Sequence, residues 1–592
     1  MFIAHDARTV DRRDALYCVA ISLVAAGASV LLFGSGGGDD SHITWWVVDE
    51  LRRTGHFHNF NGVSLEQSSS LALVLLVYAL RLFVHVPTAA LGVVVSIAAL
   101  FATCWMTGRF ARRFERRLAV PAVLLVATSG PLAYWSTSGM ETALAAFSGV
   151  WLISVIDACL ELVAPRSTGR ASMAICVECF FASALFASVR PENPLVLLCL
   201  LLGCAVLCSF SSRADRAGRP DAMARTLSLP LVCMLAPIAL LFVWRRSVFR
   251  EWFPHPVSAK SGAGARWAAG VDYLIHHLRD FQPAMFVLLP IAIGIVLAAF
   301  WRGRAKTSAA VVALLGAIGL LFICAAGGDW MSCGRFLAPY VPIWWLTVLI
   351  ALSLALKRRQ VLLPFVAVLA TANAWYFWSL VRGGGVNGYP LVAALRVVPA
   401  AQKEYGLESY PFIELANKSH LRDALLSEEL KRVISRIRPS VAGTIWLASG
   451  QAGAVPYHVF RAFPEGLRFI DFWGLTTTEV MPCLPPSRLK HSSLGVATTP
   501  ELLFEYRERV LRDCHVPLAD VVFNTSLRSG TRKGLEARGY RVIYFQRGPM
   551  PSFAEPSLFR GGTSMDAYIA VRRELADELG LRYREVQWTL PG

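Results

Sequence analysis

Runs of about 17–25 nearly uncharged residues, the length that spans a hydrocarbon core at about 1.5 Å per residue, recur through the first 380 residues of this chain and then stop. Twelve such segments lie at about 16–33, 69–86, 88–107, 118–133, 142–163, 173–189, 194–211, 227–244, 283–301, 307–326, 338–356 and 361–380. Only 17% of the 592 residues are charged and 55% are hydrophobic, with a mean hydropathy of +0.48. Soluble domains carry about 25% charged residues, so neither one soluble globule nor an array of them is expected. The pattern predicts a polytopic α-helical membrane domain over 1–382 and a C-terminal soluble domain over 383–592.

The net charge of +17 does not point to nucleic acid. Residues 383–592 hold 26 Lys and Arg against 21 Asp and Glu, which leaves +12 in the membrane part. That excess reads as loop charge orienting helices, since Lys and Arg collect on the cytoplasmic side. If all twelve segments crossed, the run Arg109, Arg112, Arg113, Arg116 and Arg117 would share a side with Asp39. If 69–86, which carries Arg81 and His85 and ends at Pro87, is instead a juxtamembrane or re-entrant helix, the rest falls into order. Arg8, Arg12 and Arg13, the 109–117 run, Arg166 and Arg170, Arg213 to Arg225, Arg302 to Lys306 and Lys357 to Arg359 then share the cytoplasmic side. They are 20 of the 32 basic residues before position 383. Eleven spans result, with the N-terminus inside, the first apolar run as an uncleaved anchor, and the C-terminal domain outside.

Beyond Val386 the pattern changes to short apolar runs with β-branched and aromatic residues. Residues 442–449, 467–470, 521–523 and 541–545 read as strands, and 419–437 and 567–580 as helices, with Arg382-Gly-Gly-Gly385 as hinge. Cys176 and Cys179 form a CxxC inside an apolar segment with no partner pair, which disfavours a metal or redox role. Cys483 and Cys514 are a candidate disulfide for an oxidising compartment.

Charged groups that persist near a bilayer tend to face a cavity or a partner. Five clusters fall on the outer side of this topology. Asp39-Asp40-Ser41-His42 follows the first span; adjacent carboxylates suit a general base or a divalent cation, and equally a helix N-cap. The same loop continues through His56, His58, Asn59 and Asn61 to Glu66, a mix of amides, carboxylate and aromatics that suits sugar hydroxyls. A zinc site from His56 and His58 lacks further ligands at suitable spacing. Glu141 stands at a helix start, Arg190 is followed by Glu192, and Lys260 lies in a Trp252-to-Gly262 stretch. The last cluster holds Asp329, Trp330 and Arg335. Arg190, Lys260 and Arg335 are cations able to bind a lipid phosphate, or to pair locally, as Arg190 with Glu192 and Arg335 with Asp329.

These motifs resemble the GT-C superfamily of integral-membrane glycosyltransferases. Gly38-Asp39-Asp40-Ser-His-Ile-Thr, Gly55-His-Phe-His-Asn-Phe-Asn-Gly62 and Glu66-Gln-Ser-Ser-Ser70 are similar to the first outer loop of its arabinofuranosyltransferase-like branch. Ser138-Gly-Met-Glu-Thr142, Arg190-Pro-Glu192, Trp252-Phe-Pro through Lys260, Gly328-Asp-Trp-Met through Phe336, Ala452 to Tyr457 and Ile470 to Thr476 follow in the same order. The resemblance implies a GT-C membrane core in a bacterial inner membrane and a periplasmic C-terminal domain. It also implies inverting transfer from a polyprenyl phosphate donor such as decaprenyl-phosphoryl-arabinofuranose to a cell-envelope glycan, glycolipid or protein. It places the catalytic carboxylate in the Asp39-Asp40 pair, where a divalent cation is an option. His42, His58, Asn59, Asn61, Glu66 and Glu141 are then candidates for sugar or acceptor binding, and Arg190, Lys260, Arg335, Asp329 and Trp330 for the donor phosphate. Two rival readings are a lipid-linked saccharide transporter, which calls for charged or broken-helix sites near the midplane, and a non-catalytic sugar-binding subunit.

Overall fold

The computed structural model describes residues 12–33, 39–162, 173–214, 220–260, 266–328, 334–356, 361–381, 412–450, 452–471, 476, 518–525, 529–547 and 567–587. Eight helices are long and apolar enough to cross a membrane, over Arg13–Leu31, Thr88–Phe114, Thr142–Leu162, Asn193–Phe210, Leu227–Val248, Pro283–Trp301, Thr307–Ala326 and Ala338–Ala355. Shorter apolar helices lie at Leu71–Phe83, Met173–Val189 and Leu362–Trp375. This is a multi-pass membrane protein.

The first helix, α1 (Arg12–Phe33), is followed by α2 (Asp39–Thr54) and α3 (Leu71–Phe83). With 13 residues, α3 is about 20 Å long, short of a core of about 30 Å. Leu71, Leu73, Val74 and Val77 are buried while Leu75, Leu76, Leu82 and Phe83 face outward. Next come α4 (Thr88–Phe114), α5 (Ala119–Ala127) and α6 (Gly130–Trp135). The single span expected over 118–133 is therefore two short helices. Ser129 takes an extended conformation at φ −74°, ψ 108°, and Pro131 opens α6, where it has no N–H to continue the preceding ladder. Buried Gln282 donates from Nε2 to Ser129 Oγ at 3.2 Å beside the break.

The bundle continues with α7 (Thr142–Leu162), α8 (Met173–Val189), α9 (Asn193–Ala214), α10 (Pro220–Val248), α11 (His255–Lys260) and α12 (Trp267–Phe281). It ends with α13 (Pro283–Trp301), α14 (Thr307–Ala326), α15 (Val341–Ala355) and α16 (Leu362–Val381). Ion pairs order its two ends. Arg113 meets Asp157 at 2.8 Å, Arg116 meets Asp14 at 3.0 Å, and Lys306 donates to the Arg113 carbonyl at 3.4 Å. The start of α1, the ends of α4 and α7 and the start of α14 thus share one basic end, as the charge pattern demanded. The start of α4 is at the opposite end, where the Thr88 hydroxyl donates to Asp49 of α2.

The C-terminal domain is a six-stranded mixed sheet built from α17 (Phe412–Ile437), β1 (Ile445–Ser449), α18 (Ala454–Ala462), β2 (Leu467–Asp471), β3 (Val521–Thr525), α19 (Ser529–Ala537), β4 (Tyr540–Arg547), β5 (Ala567–Arg572), α20 (Arg573–Glu578) and β6 (Arg584–Gln587). The strand order is β2-β1-β3-β5-β4-β6. β1 is parallel to β2 and β3, and β5 is antiparallel to β3 and β4. The helix expected over 567–580 is instead β5 followed by α20. Ala567 to Val571 are all buried; a short apolar run sandwiched between two strands carries no alternation to separate it from a buried helix turn. The Gly383–Gly385 hinge and Cys483 and Cys514 lie outside the described residues.

The two regions share α2. Val47, Val48 and Leu51 pack into the membrane core, while Ile43, Trp45 and Trp46, with Phe60 from the following loop, pack into the core of the C-terminal domain against Tyr457, Phe460 and Phe469. The indole of Trp45 fills the space that a side chain at Gly92 or Gly139 would need: a Cβ on Gly92 would come within 2.6 Å of Nε1, and one on Gly139 within 2.7 Å of Cζ2. Gly139 also holds φ +68°, a conformation costly for other residues. Asn61 completes the junction. Its Nδ2 donates to the Phe469 carbonyl at 2.8 Å and its Oδ1 accepts from the Phe469 N–H at 2.7 Å, so an amide side chain covers the edge strand β2 as another strand would.

Replacing Asn61 with Ala leaves both Phe469 backbone groups unpaired, at a cost of about 1–3 kcal/mol. The expected result is faster amide exchange at Phe469 and along 467–471 with the membrane helices unchanged; unaltered exchange there would remove Asn61 from the junction.

Candidate functional site

Four of the residues singled out in the sequence come together at the end of the bundle that carries the C-terminal domain. Asp40 sits in the first turn of α2, where the helix N-terminus favours a carboxylate. Its Oδ2 accepts from Arg335 Nη1 at 3.3 Å. Arg335 lies just ahead of α15, in the segment joining it to α14, and its guanidinium stands 5.7 Å from the Phe336 ring centre. Arg190, in the connection between α8 and α9, approaches the same ring at 4.8 Å. Arg190 is held by two carboxylates, Glu192 at 2.5 Å and Glu141 at 3.6 Å, and all three side chains are at most one-tenth exposed. One guanidinium nitrogen of Arg190, Nη1, makes no hydrogen bond.

The result is an array in which a carboxylate, two guanidiniums and an aromatic ring are contributed by three separate segments. The charges are unequal in setting. Asp40 keeps 29% of its side-chain surface open and Arg335 11%, against 6% for Arg190. Asp40 is thus the most open of the three, while Arg335 and Arg190 are both largely enclosed and both lie beside Phe336. Glu141, at the start of α7, serves Arg190.

The other candidate residues take different places. Glu66 is buried in an ion pair with Arg245 of α10: Nε to Oε2 is 2.7 Å and Nη2 to Oε1 is 3.0 Å. Burial pushes the Glu66 carboxyl above its usual range, with Arg245 pulling the other way. The Glu66 carbonyl also accepts from the His255 N–H at 3.1 Å, which ties the first loop to α11. Asn59 Oδ1 accepts from the backbone of Asn61 at 2.9 Å and of Val63 at 2.9 Å, closing a turn, and Asn61 clamps β2. His42 is buried among Trp45, Tyr457 and His458, with ring centres 4.3, 5.4 and 5.4 Å away, two residues after Asp40. His58 lies near His56, ring centres 5.4 Å apart, and burial lowers its pKa. Asp329 and Trp330, and the side chains of Asp39 and Lys260, lie outside the described residues. Among the described residues no three His, Cys, Asp or Glu side chains gather as metal ligands.

Sequence reasoning passed over Arg245 and Asp49. Arg245 carried a signal, since Arg245-Arg246 ends an apolar run on the side that the charge rule leaves poor in cations. Asp49 carried none; it accepts from Tyr457 OH at 3.0 Å, and this carboxylate, with burial as the larger cause, raises the phenol pKa.

Breaking a buried ion pair by removing one partner costs about 3–5 kcal/mol. Arg245→Gln is therefore expected to lower the thermal midpoint of the detergent-solubilised protein sharply, and Glu66→Gln/Arg245→Gln to recover much of the loss. A single variant as stable as the wild type would mean that this pair does not hold the first loop.

No family model matches the sequence, and no curated protein matches it. Among solved structures, ArnT from Cupriavidus metallidurans bound to undecaprenyl phosphate matches with a TM-score of 0.52 and 12% identity, covering 95% of this chain and 98% of that one. ArnT from the same organism in the apo state matches at 0.48 and 12%, with the same coverage. The archaeal oligosaccharyltransferase AglB from Archaeoglobus fulgidus, in complex with an inhibitory peptide and a dolichol-phosphate, matches at 0.47 and 12%, over 86% of this chain and 69% of that one. At this identity the likeness to undecaprenyl-phosphate-bound ArnT is one of fold, and it runs nearly end to end: a helical membrane core with a C-terminal α/β domain is the architecture of this chain.

Proposed function

We propose that this protein is a glycosyltransferase that moves a sugar, arabinofuranose in our reading, from a polyprenyl phosphate to a hydroxyl of a cell-envelope glycan, glycolipid or protein at the outer face of a bacterial inner membrane. The observation that carries this is the contact between Asp40 and Arg335, beside Phe336 and Arg190. The reaction needs a base for the attacking hydroxyl and a cation for the departing phosphate. Asp40 and Arg335 supply these from adjacent positions, one partly open and one largely enclosed.

In this scheme the acceptor oxygen attacks the anomeric carbon from the face opposite the phosphate. The new C–O bond forms as the bond to the phosphate oxygen breaks, and configuration inverts. The acceptor proton passes to Asp40, and the electron pair of the broken bond leaves on the phosphate. Arg335, released from Asp40 as the carboxylate takes that proton, faces the growing negative charge, with Arg190 and Lys260 as further cations. Fixed cations aimed at developing charge stabilise a transition state without reorganisation. Glu141 and Glu192 keep Arg190 in place. Asp39, the preceding residue in sequence, is the second candidate carboxylate, and the C-terminal domain, packed on α2, covers the acceptor side.

The scheme uses no metal. Arg335 supplies the positive charge at Asp40 Oδ2, 3.3 Å away, and a divalent cation at Asp39 and Asp40 is the alternative. Turnover is therefore expected to survive EDTA; loss restored by added Mg²⁺ or Mn²⁺ would assign a cation to Asp39 and Asp40.

The direct test is transfer of label from polyprenyl-phosphoryl sugars, arabinofuranose among them, to a panel of envelope acceptors by the purified protein in lipid. Asp40→Asn is expected to lower kcat by about 10²–10⁴-fold with folding retained, and Arg335→Gln by about 10²–10³-fold. Full activity in Asp40→Asn would sink the assignment. Label crossing a vesicle bilayer with no transfer to any acceptor would move the protein to the transporter class.

A further inference from the structure

A second cation-rich place lies at the other end of α2. A cleft of about 490 Å³ opens between α2, the end of α3 and α18, and its wall includes Arg52, Arg53, Arg81 and Arg461 with the rings of Trp46 and Phe460. That volume falls within the range of small-ligand sites. Two carboxylates, Asp49 and Glu50, share the wall, and both are already engaged. Asp49 accepts from Tyr457 and Thr88, and Glu50 is locked in a two-bonded fork with Arg53 at 2.8 Å for each bond.

The remaining guanidiniums have donors to spare. Arg52 is exposed and makes no hydrogen bond or ion pair among the described residues. Arg81 donates from Nη1 to the Val86 carbonyl at 2.5 Å, while its buried Nε has no partner. Arg461 donates to Tyr457 OH at 2.9 Å, pairs with Asp49 at 3.6 Å and is half exposed. With Arg53 paired to Glu50 and Arg461 to Asp49, the charges of Arg52 and Arg81 are in surplus, and the cleft suits an anion. Planar guanidiniums converging from three elements match a phosphate in particular.

The surroundings decide where that phosphate comes from. Arg81 stands in the last turn of α3, and the residues beside it, Leu82, Phe83, Val84 and Val86, are all exposed and apolar. A surface helix ending in bare Leu and Phe sinks that end toward the acyl boundary, which sets the neighbouring guanidiniums at headgroup level. We infer that the cleft formed by Arg52, Arg81 and Arg461 binds the phosphate of a lipid headgroup, at a site separate from Asp40 and Arg335. The separation follows from the helix: Arg52 lies twelve residue steps along α2 from Asp40, about 18 Å at the α-helical rise. The inference does not depend on the proposed reaction, because it concerns binding alone.

The test titrates the full-length protein in a non-ionic detergent with dihexanoyl phosphatidic acid, and in parallel with dihexanoyl phosphatidylcholine, glucose 1-phosphate and inorganic phosphate, by calorimetry. The variants are Arg52→Gln, Arg52→Gln/Arg81→Gln and Arg335→Gln. Arg52 has no partner to lose, so the first variant keeps the fold, and thermal midpoints verify the others. The expected result is saturable binding of phosphatidic acid, at least tenfold tighter than phosphatidylcholine or either soluble phosphate, weakened threefold or more by Arg52→Gln and tenfold or more by the double variant, and retained in Arg335→Gln. Equal binding of glucose 1-phosphate or inorganic phosphate would overturn the lipid as the source. Binding unchanged in Arg52→Gln and the double variant, or lost only in Arg335→Gln, would overturn the site.

Discussion

The structure turns on a 16-residue helix that belongs to two cores at once. Val47, Val48 and Leu51 commit one side of α2 to the membrane bundle, and Ile43, Trp45 and Trp46 commit the other to the C-terminal domain. A helix that is apolar on both sides is stable only when both sides are covered, so neither region is complete alone. The division of the chain near residue 382 is thus one of connectivity, and packing runs across it. Asp40 is at the head of this helix and inherits its fixed position.

From that placement the chemistry of the bundle's end follows. Arg335 reaches Asp40 from 295 residues away in sequence, and Arg190 reaches Phe336 with two glutamates around it. Two like charges share one ring, and each is attracted to the π-cloud. Arg190 is compensated by Glu141 and Glu192, and Arg335 by Asp40. The difference in carboxylate partners separates the supporting cation from the one that meets Asp40.

Much of this was legible in the sequence, and the reason is physical. Apolar length follows from the cost of placing peptide and charge in lipid, so the membrane region could be read directly. The polar clusters at the bundle's end were legible for the same reason: Asp40, Glu141, Arg190 and Arg335 are out of place unless they have company. What each polar residue faces was not legible. Asn59, Asn61 and Glu66 have the composition of a sugar site, yet in the structure they close a turn, clamp a strand and pair with Arg245, because a buried polar group is satisfied by whichever partner the fold brings to it. The break at Ser129 was hidden inside an apolar run, and β5 was read as helix because a strand buried on both faces has lost the alternation that marks strands.

Trp45 adds a consequence of its own. Its indole is seated where two glycines, on α4 and just ahead of α7, leave no room for any side chain, and five residues separate it from Asp40. Turning or sliding α2 by even one residue would drive the ring into backbone on one side or the other. The aim of the carboxylate is therefore set by shape, with the polar contact to Arg335 added afterwards. Such a steric register permits a reactive group to exchange its hydrogen-bonding partners during a cycle without losing its bearing, which a carboxylate positioned only by its counter-ion could not do.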